Sequence, residues 1–314
     1  VSAQHEPAPI RERSADGRKD LSYPPLPEPL PVAVYDNHTH IEFADGESPL
    51  QPSEQLRRAA SVGVQGIVQV GTDLATSRWG AELAGSDPRV LSAVAIHPND
   101  APGLAAAGTL DDAIAELHEL AGRPRVRAVG ETGLDFFRTG EEGRQAQFRS
   151  FEEHIRVAAE RDIALQIHDR DAHAEVVATL ERVGAPERTV FHCFSGDAEL
   201  AELCVRNGWF MSVSGTITFR NASALRAAVA LVPTELLLVE TDAPFLTPTP
   251  FRGRPNAPYL LPHTVRFLAE QRGLDVAELA ETLNATTERV YGSWGEGLAD
   301  AAASDAADGE GVGA

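Results

Sequence analysis

Short apolar runs alternate with longer stretches of helical period along most of this chain. The runs that predict strands are Val32–Tyr35, Gly66–Gly71, Val90–His97, Val126–Gly130, Ile163–His168, Thr189–His192, Trp209–Val213 and Leu236–Glu240. Between them, helical spacing predicts helices near 54–61, 110–120, 174–182, 198–207, 222–231 and 263–271, with a last one near 276–290. Phe148, Phe151, Ile155 and Ala159 fall on one face of a 3.6-residue period and predict another. Strands that alternate with helices imply a parallel sheet with crossover helices. Eight of them are what a TIM-type (β/α)8 barrel requires, and a doubly wound open sheet is the rival.

The polar residues decide between the two. Histidines or carboxylates stand at the carboxyl-terminal ends of the first, third, fourth, fifth, sixth and eighth runs. A barrel gathers all those ends on one rim, where barrel active sites lie. With strands about 4.8 Å apart, an open sheet leaves several of them roughly 15 Å or more from one another. The expected fold is therefore the (β/α)8 barrel, over residues 31–294. Residues 1–30, with Pro24, Pro25, Pro27 and Pro29 and no apolar period, read as a disordered lead-in. Residues 295–314 read as a disordered acidic tail.

Composition narrows the choice further. The formal net charge is −20, and the tails do not account for it: residues 296–314 hold five acids and no base, and residues 1–30 five acids against four bases. Broad electrostatic binding to a nucleic-acid backbone is excluded, so any such substrate has to be gripped locally. Cys193 and Cys204 give no disulfide framework. No apolar run approaches the roughly 18 residues of a membrane span, and the first 30 residues hold no signal-peptide stretch. The expected setting is cytoplasmic, and the expected state a monomer, because no long apolar stripe is left over.

The candidate chemistry lies in the polar strand ends. His38 and His40, two apart on a strand, face the same way. Glu131, His168, His192 and Asp242 close four other runs, and Asp36 is read as a supporting acid. Each alone has an ordinary explanation: a solvated histidine, a core histidine, a loop acid, a turn former. Together they are nitrogen and oxygen ligands suited to Zn²⁺, Mn²⁺ or Mg²⁺. Six groups exceed the three that one catalytic metal usually takes. Two divalent ions sharing a carboxylate account for them. Cys193, next to His192, faces away by strand alternation and reads as a buried thiol. Gly-x-Ser-x-Gly and the phosphate-cradling Gly-x-x-x-x-Gly-Lys motif are both lacking.

Taken in order over roughly residues 34–292, several segments resemble the TatD family of metal-dependent hydrolases and deoxyribonucleases. They are Asp36-Asn37-His38-Thr39-His40, Ala95-Ile96-His97-Pro98, Gly130-Glu131-Thr132-Gly133-Leu134-Asp135, Ile167-His168-Asp169-Arg170, His192-Cys193-Phe194-Ser195-Gly196 and Glu240-Thr241-Asp242-Ala243-Pro244-Phe245-Leu246. The resemblance implies a first metal on His38, His40, Glu131 and Asp242, and a second on the bridging Glu131 with His168 and His192. It implies hydrolysis of phosphodiester bonds, with DNA single strands or ends as the expected substrate. Asp242 is the expected acceptor of the nucleophile's proton. Arg170 is a candidate phosphate clamp or an ion-pair partner of Asp169 or Asp171. His97 is a candidate substrate or leaving-group contact, or a supporting residue. Ser195 offers a hydroxyl to phosphate or caps the next helix. Departures from the family pattern are Thr132, Ile41-Glu42 and the loop Arg252–Pro258 with Ala257, and the loop bears on substrate preference. The alternatives are a hydrolase of the same architecture acting on an ester, amide or aminoacyl-nucleotide bond, and a metal-binding protein without catalysis.

Overall fold

Eight parallel strands follow one another around a single sheet in chain order. The computed structural model describes residues 8–15, 17–18 and 20–295. The barrel strands are β1 (Val34–Thr39), β2 (Val64–Val70), β3 (Val90–Val94), β4 (Val126–Asp135), β5 (Ala164–Arg170), β6 (Thr189–Phe191), β7 (Phe210–Val213) and β8 (Leu237–Val239). Each pairs in parallel with its neighbours in sequence. The seam between β8 and β1 is closed by the segment just beyond β8. Asp242 N donates to His38 O at 3.0 Å, and His40 N to Ala243 O at 2.7 Å. Side chains of β1 complete the seam: Asn37 Nδ2 donates to Val239 O, and Asp36 Oδ1 accepts from Thr241 N at 3.0 Å. The sheet is thus a nearly closed barrel of the TIM type. Among the described residues, no helix is long and apolar enough to cross a membrane.

Strand alternation sorts the side chains into layers. Tyr35, Val68, Leu91, Ala128, Val190 and Leu238 point inward near the amino-terminal end. There they meet Tyr291, from the last helix (Val276–Tyr291), and Trp294 just beyond it; the ring of Trp294 stacks on Tyr35 at 4.1 Å. Fully burying a Val or Leu of this kind contributes about 1.5–3 kcal/mol. Above that plug lies a polar layer in which Asn37 Nδ2 donates to Ser212 Oγ, Gln166 Nε2 to Asn37 O, and Tyr291 OH to Asn37 Oδ1. Its buried side-chain donors are paired, as a layer cut off from water requires, while Gln166 Oε1 has no partner. The rim lies above it.

The eight expected strands are all present, and the differences are at their ends. β4 does not stop at Gly130 but runs on to Asp135, after a register shift between Val129 and Thr132. Glycine is required there. A Cβ on Gly130, at φ +154°, would stand 2.5 Å from Gln166 Cβ, and one on Gly133, at φ +139°, would collide with His168 O. The helices Leu74–Ser86 and Ala101–Ala107 were not expected. The first buries Thr76, Ser77 and Gly80 together with Trp79 and Leu83, so no apolar stripe marks it. Its start is set by a capping box between Asp73 and Thr76.

The expectation of a disordered lead-in over residues 1–30 fails in its described part. Arg11–Glu12 pairs in parallel with Phe43–Ala44. Arg11 donates to Thr72 Oγ1 at 2.7 Å and pairs with Asp73, while Arg13 and Arg18 both bind the buried Asp45. Farther along, Tyr259 OH donates to Pro24 O, and Arg254 Nε to Ser22 O. Prolines have no N–H to satisfy, and residues distant in sequence take up the carbonyls here, so local composition could not reveal the order. The rest of the two expected tails, residues 1–7, 16, 19 and 296–314, lies outside the described residues.

Candidate metal centre

The rim brings the strand-end imidazoles and carboxylates together in two adjoining groups. In the first, His38 Nε2 and His40 Nε2 stand 3.2 Å apart. Asp242 Oδ1 is 3.8 Å from the former and 3.5 Å from the latter, and Glu131 Oε2 is 3.7 and 3.8 Å from the same two atoms. Four ligands about 2.0–2.1 Å from a tetrahedral ion are about 3.3 Å from one another. The donor set therefore fits a divalent cation. His40 fixes its own tautomer, because its Nδ1 lies 2.9 Å from Val70 O, which can only accept. Its Nε2 thus offers a lone pair to the group.

The second group gathers on the other oxygen of Glu131. Oε1 lies 2.6 Å from His168 Nδ1 and 2.9 Å from His192 Nε2. Both rings are held from behind: His168 Nε2 by Asp135 Oδ2 at 3.2 Å, and His192 Nδ1 by Glu240 Oε1 at 3.2 Å. Glu240 is itself anchored by Cys193 N at 2.9 Å, and Asp135 by Asn99 Nδ2 at 3.0 Å. Carboxylates behind ligand histidines are a recurrent feature of metal sites, since they set ring orientation and raise basicity. Doubly protonated, His192 bridges Glu131 and Glu240; with its proton on Nδ1 alone, its Nε2 and Glu131 Oε1 are two acceptors able to take a cation.

The electrostatics agree. Burial alone would raise the Glu131 pKa, but His192, His97 and the hydrogen bonds from His168 and His192 hold the carboxyl well below its usual range. Burial would lower that of His192, yet Glu131 and Glu240 push it well above the usual imidazole value. Asp135 is likewise held low: burial opposes this, and His168 outweighs it.

The remaining expected residues take different places. His97 Nδ1 accepts from Asn99 N at 3.1 Å, so its proton sits on Nε2, 3.5 Å from Glu131 Oε1. Burial lowers its pKa and favours the neutral ring. It thus points an N–H, not a lone pair, at the centre. Arg170 lays its guanidinium 4.0 Å over the Phe137 ring, and Asp169 is occupied by His173 Nδ1 at 2.6 Å. The exposed Ser195 donates to Asp169 O, and the helix that follows is capped by Asp197, whose side chain accepts from Leu200 N. Cys193 is half-buried, with Sγ 3.3 Å from Ser214 Oγ. Burial pushes its thiol up to about 12, which keeps it protonated. Asp36 touches no imidazole. It accepts from Thr241 N and His38 N and ties the backbone of β1 to the Asp242 segment. Sequence reasoning assigned no role to Asp135, Glu240 or Phe137. The signal for the first was its place four residues after Glu131 on the same strand face.

A nearly closed parallel barrel, with this donor set on its catalytic rim, defines the class: a metal-dependent hydrolase. The model for TatD-related DNases matches residues 35–292, and the chain belongs to that family. An uncharacterized metal-dependent hydrolase TatD of Mycobacterium tuberculosis is 44% identical over 263 residues, 82% of this chain and 98% of the relative. The 3'-5' ssDNA/RNA exonuclease TatD of Citrobacter rodentium is 36% identical over 245 residues, 76% of this chain and 91% of the relative. Among solved structures, the TatD homologue YJJV of Escherichia coli K12 superposes with a TM-score of 0.73 at 29% identity, covering 83% of this chain and 98% of that one.

Proposed function

We propose that this hydrolase is a deoxyribonuclease that cleaves phosphodiester bonds near the ends of single strands, with two divalent metal ions. The observation that carries the reading is the division of Glu131, whose Oε2 serves the His38, His40 and Asp242 group while Oε1 serves His168 and His192. His38, His40, Glu131 and Asp242 would hold one Zn²⁺, Mn²⁺ or Mg²⁺, and Glu131, His168 and His192 the other. Ions so held would supply a water of lowered pKa and offset charge that builds on a phosphoryl oxygen. The protein's part is to orient and to move protons. Asp242 is partly exposed, at the lip of the first group, and accepts the proton of the attacking water. Glu240, Asp135 and the Val70 carbonyl keep the imidazoles aimed. His97 directs its Nε2–H to a phosphoryl or leaving oxygen, and Arg170 and Ser195 meet the substrate farther out on the rim. The substrate class is supported by the exonuclease name of the Citrobacter rodentium relative.

The test is hydrolysis of end-labelled single-stranded DNA by purified protein, stripped by chelator and resupplied with Mg²⁺, Mn²⁺ or Zn²⁺. Shortening from one end is expected only with metal. Glu131→Ala is expected to lower the rate on the order of 100-fold or more and to reduce bound metal below two per chain. Full activity and full metal content in that variant would refute the shared carboxylate. No cleavage with any metal would move the substrate to an ester, amide or aminoacyl bond.

A further inference from the structure

We propose that Phe137 and Arg170 form a stacking platform for a nucleobase of the bound single strand, next to the phosphate being cleaved. The inference rests on the nuclease reading above and adds a subsite to it. Phe137 is 63% exposed, whereas most aromatic side chains of the barrel are buried or half-buried. Exposing a phenyl ring forgoes burial that would stabilise the fold, and its position shows where that surface is turned. The platform is built by the ladder that carries the metal ligands. Asp135 and Arg170 are register partners on β4 and β5, and Phe136 N donates to Arg170 O at 2.9 Å. Phe137 follows Asp135 by two residues, and Arg170 follows His168 by two. Two residues span at most about 7 Å. A base resting on the ring therefore belongs to the nucleotide at the scissile phosphate or to its neighbour.

The guanidinium of Arg170 lies 4.0 Å over the ring, within the range of a cation–π contact. That contact holds a long side chain at the rim, and among the described residues no carboxylate pairs with it, so its N–H groups remain available to a phosphate oxygen. A π face beside a free cation is the pairing by which proteins hold single strands with little preference for sequence. On a chain of net charge −20, such a pair grips a polyanion locally, where a broad basic surface is not on offer.

The experiment uses the full-length, metal-loaded enzyme on a labelled single-stranded oligonucleotide, alongside the same strand made abasic at its terminal nucleotides. Phe137→Ala is expected to raise KM on the normal strand roughly 5- to 100-fold, the effect of losing one base–aromatic stack, with a smaller change in kcat. Phe137→Trp is expected to restore KM and Phe137→Leu is not, which separates stacking from apolar packing. Removing the base should raise the wild-type KM by a similar factor, and that sensitivity should shrink toward one in Phe137→Ala. If the wild type cleaves the strand while Phe137→Ala keeps its KM and its sensitivity to the missing base, the platform is refuted and the nuclease reading stands. A wild type that neither binds nor cleaves single strands refutes both.

Discussion

His154 offers a quantitative check on how the rim is supported from outside the barrel. It lies on the long helix Glu141–Arg161, fully buried, with both ring nitrogens in use. Nδ1 is 2.6 Å from Ser150 O and must donate, so Nε2 is the acceptor for Ile96 N–H at 2.9 Å. Ile96 precedes His97, so a neutral imidazole holds the backbone that aims His97. Burial lowers the pKa of His154 from 6.5 to about 4, and the hydrogen bond to Ser150 only partly opposes it. The unfolded chain therefore takes up this proton near pH 6.5, whereas the folded chain resists until about pH 4. The contribution to stability is full above about pH 6.5 and is lost as pH falls through the interval below it. At 1.36 kcal/mol per pH unit, the loss is about 2 kcal/mol at pH 5 and about 3 kcal/mol near pH 4.

The perturbation is His154→Gln, whose amide oxygen can accept from Ile96 N–H but does not titrate. Urea unfolding of the metal-free wild type and variant, at a series of pH values between about 7.5 and 4.5, gives two stability curves. Their difference isolates His154, since the other titrating groups are common to both. The gap should be constant above pH 7 and then change by about 2 kcal/mol, against the wild type, by pH 5. A difference that stays flat within about 0.5 kcal/mol would mean that His154 is not held neutral, and the argument for its support of Ile96 and His97 would fall with it.

Two further expectations concern groups that act at one remove from the metal centre. Arg18→Ala leaves the buried Asp45 with Arg13 at 3.2 Å as its remaining arginine; we expect a loss of about 1–3 kcal/mol and faster amide exchange over residues 20–30, and unchanged exchange would show that this pair does not hold the amino-terminal segment. Glu240→Gln removes the charge behind His192, so we expect metal affinity, measured by chelator competition, to fall about 10- to 100-fold; equal affinity in the two proteins would refute the orienting role.

The parts of this molecule that were legible in the sequence share a physical cause. Strand ends were visible because inward-facing apolar runs stop where the barrel opens to solvent, and the ligands sit at those stops. His168 and His192 close such runs, and the structure brings both to Glu131. What escaped notice depends on contacts between distant residues. The helix Leu74–Ser86 packs small polar groups against the sheet and lacks a stripe. The amino-terminal segment is held by Asp45, Asp73 and Arg254, which no local window contains. Glu240 was quoted as part of a motif, but its hold on His192 spans 48 residues.

The same long-range logic explains how an acidic chain uses the arginines near its rim. Arg11 and Arg13 approach the rim from the amino-terminal segment, yet each is engaged by a carboxylate, Asp73 and Asp45 respectively. They fasten the loops after β1, β2 and β8 to one another, because Arg13 also donates to Pro244 O and lies over Phe245. Their charge is thereby matched locally and does little to attract a polyanion. Arg170 differs in that its partner is a ring, which orients the guanidinium without cancelling its charge. At physiological ionic strength, fields from exposed acids fade over about 8 Å. On the reading proposed above, the balance near the centre would be set by bound metal ions and the nearest guanidinium, not by the net charge of the chain. Such a site would recognise one or two phosphates closely and have little hold on a long duplex, which is the physical basis for the proposed action near strand ends.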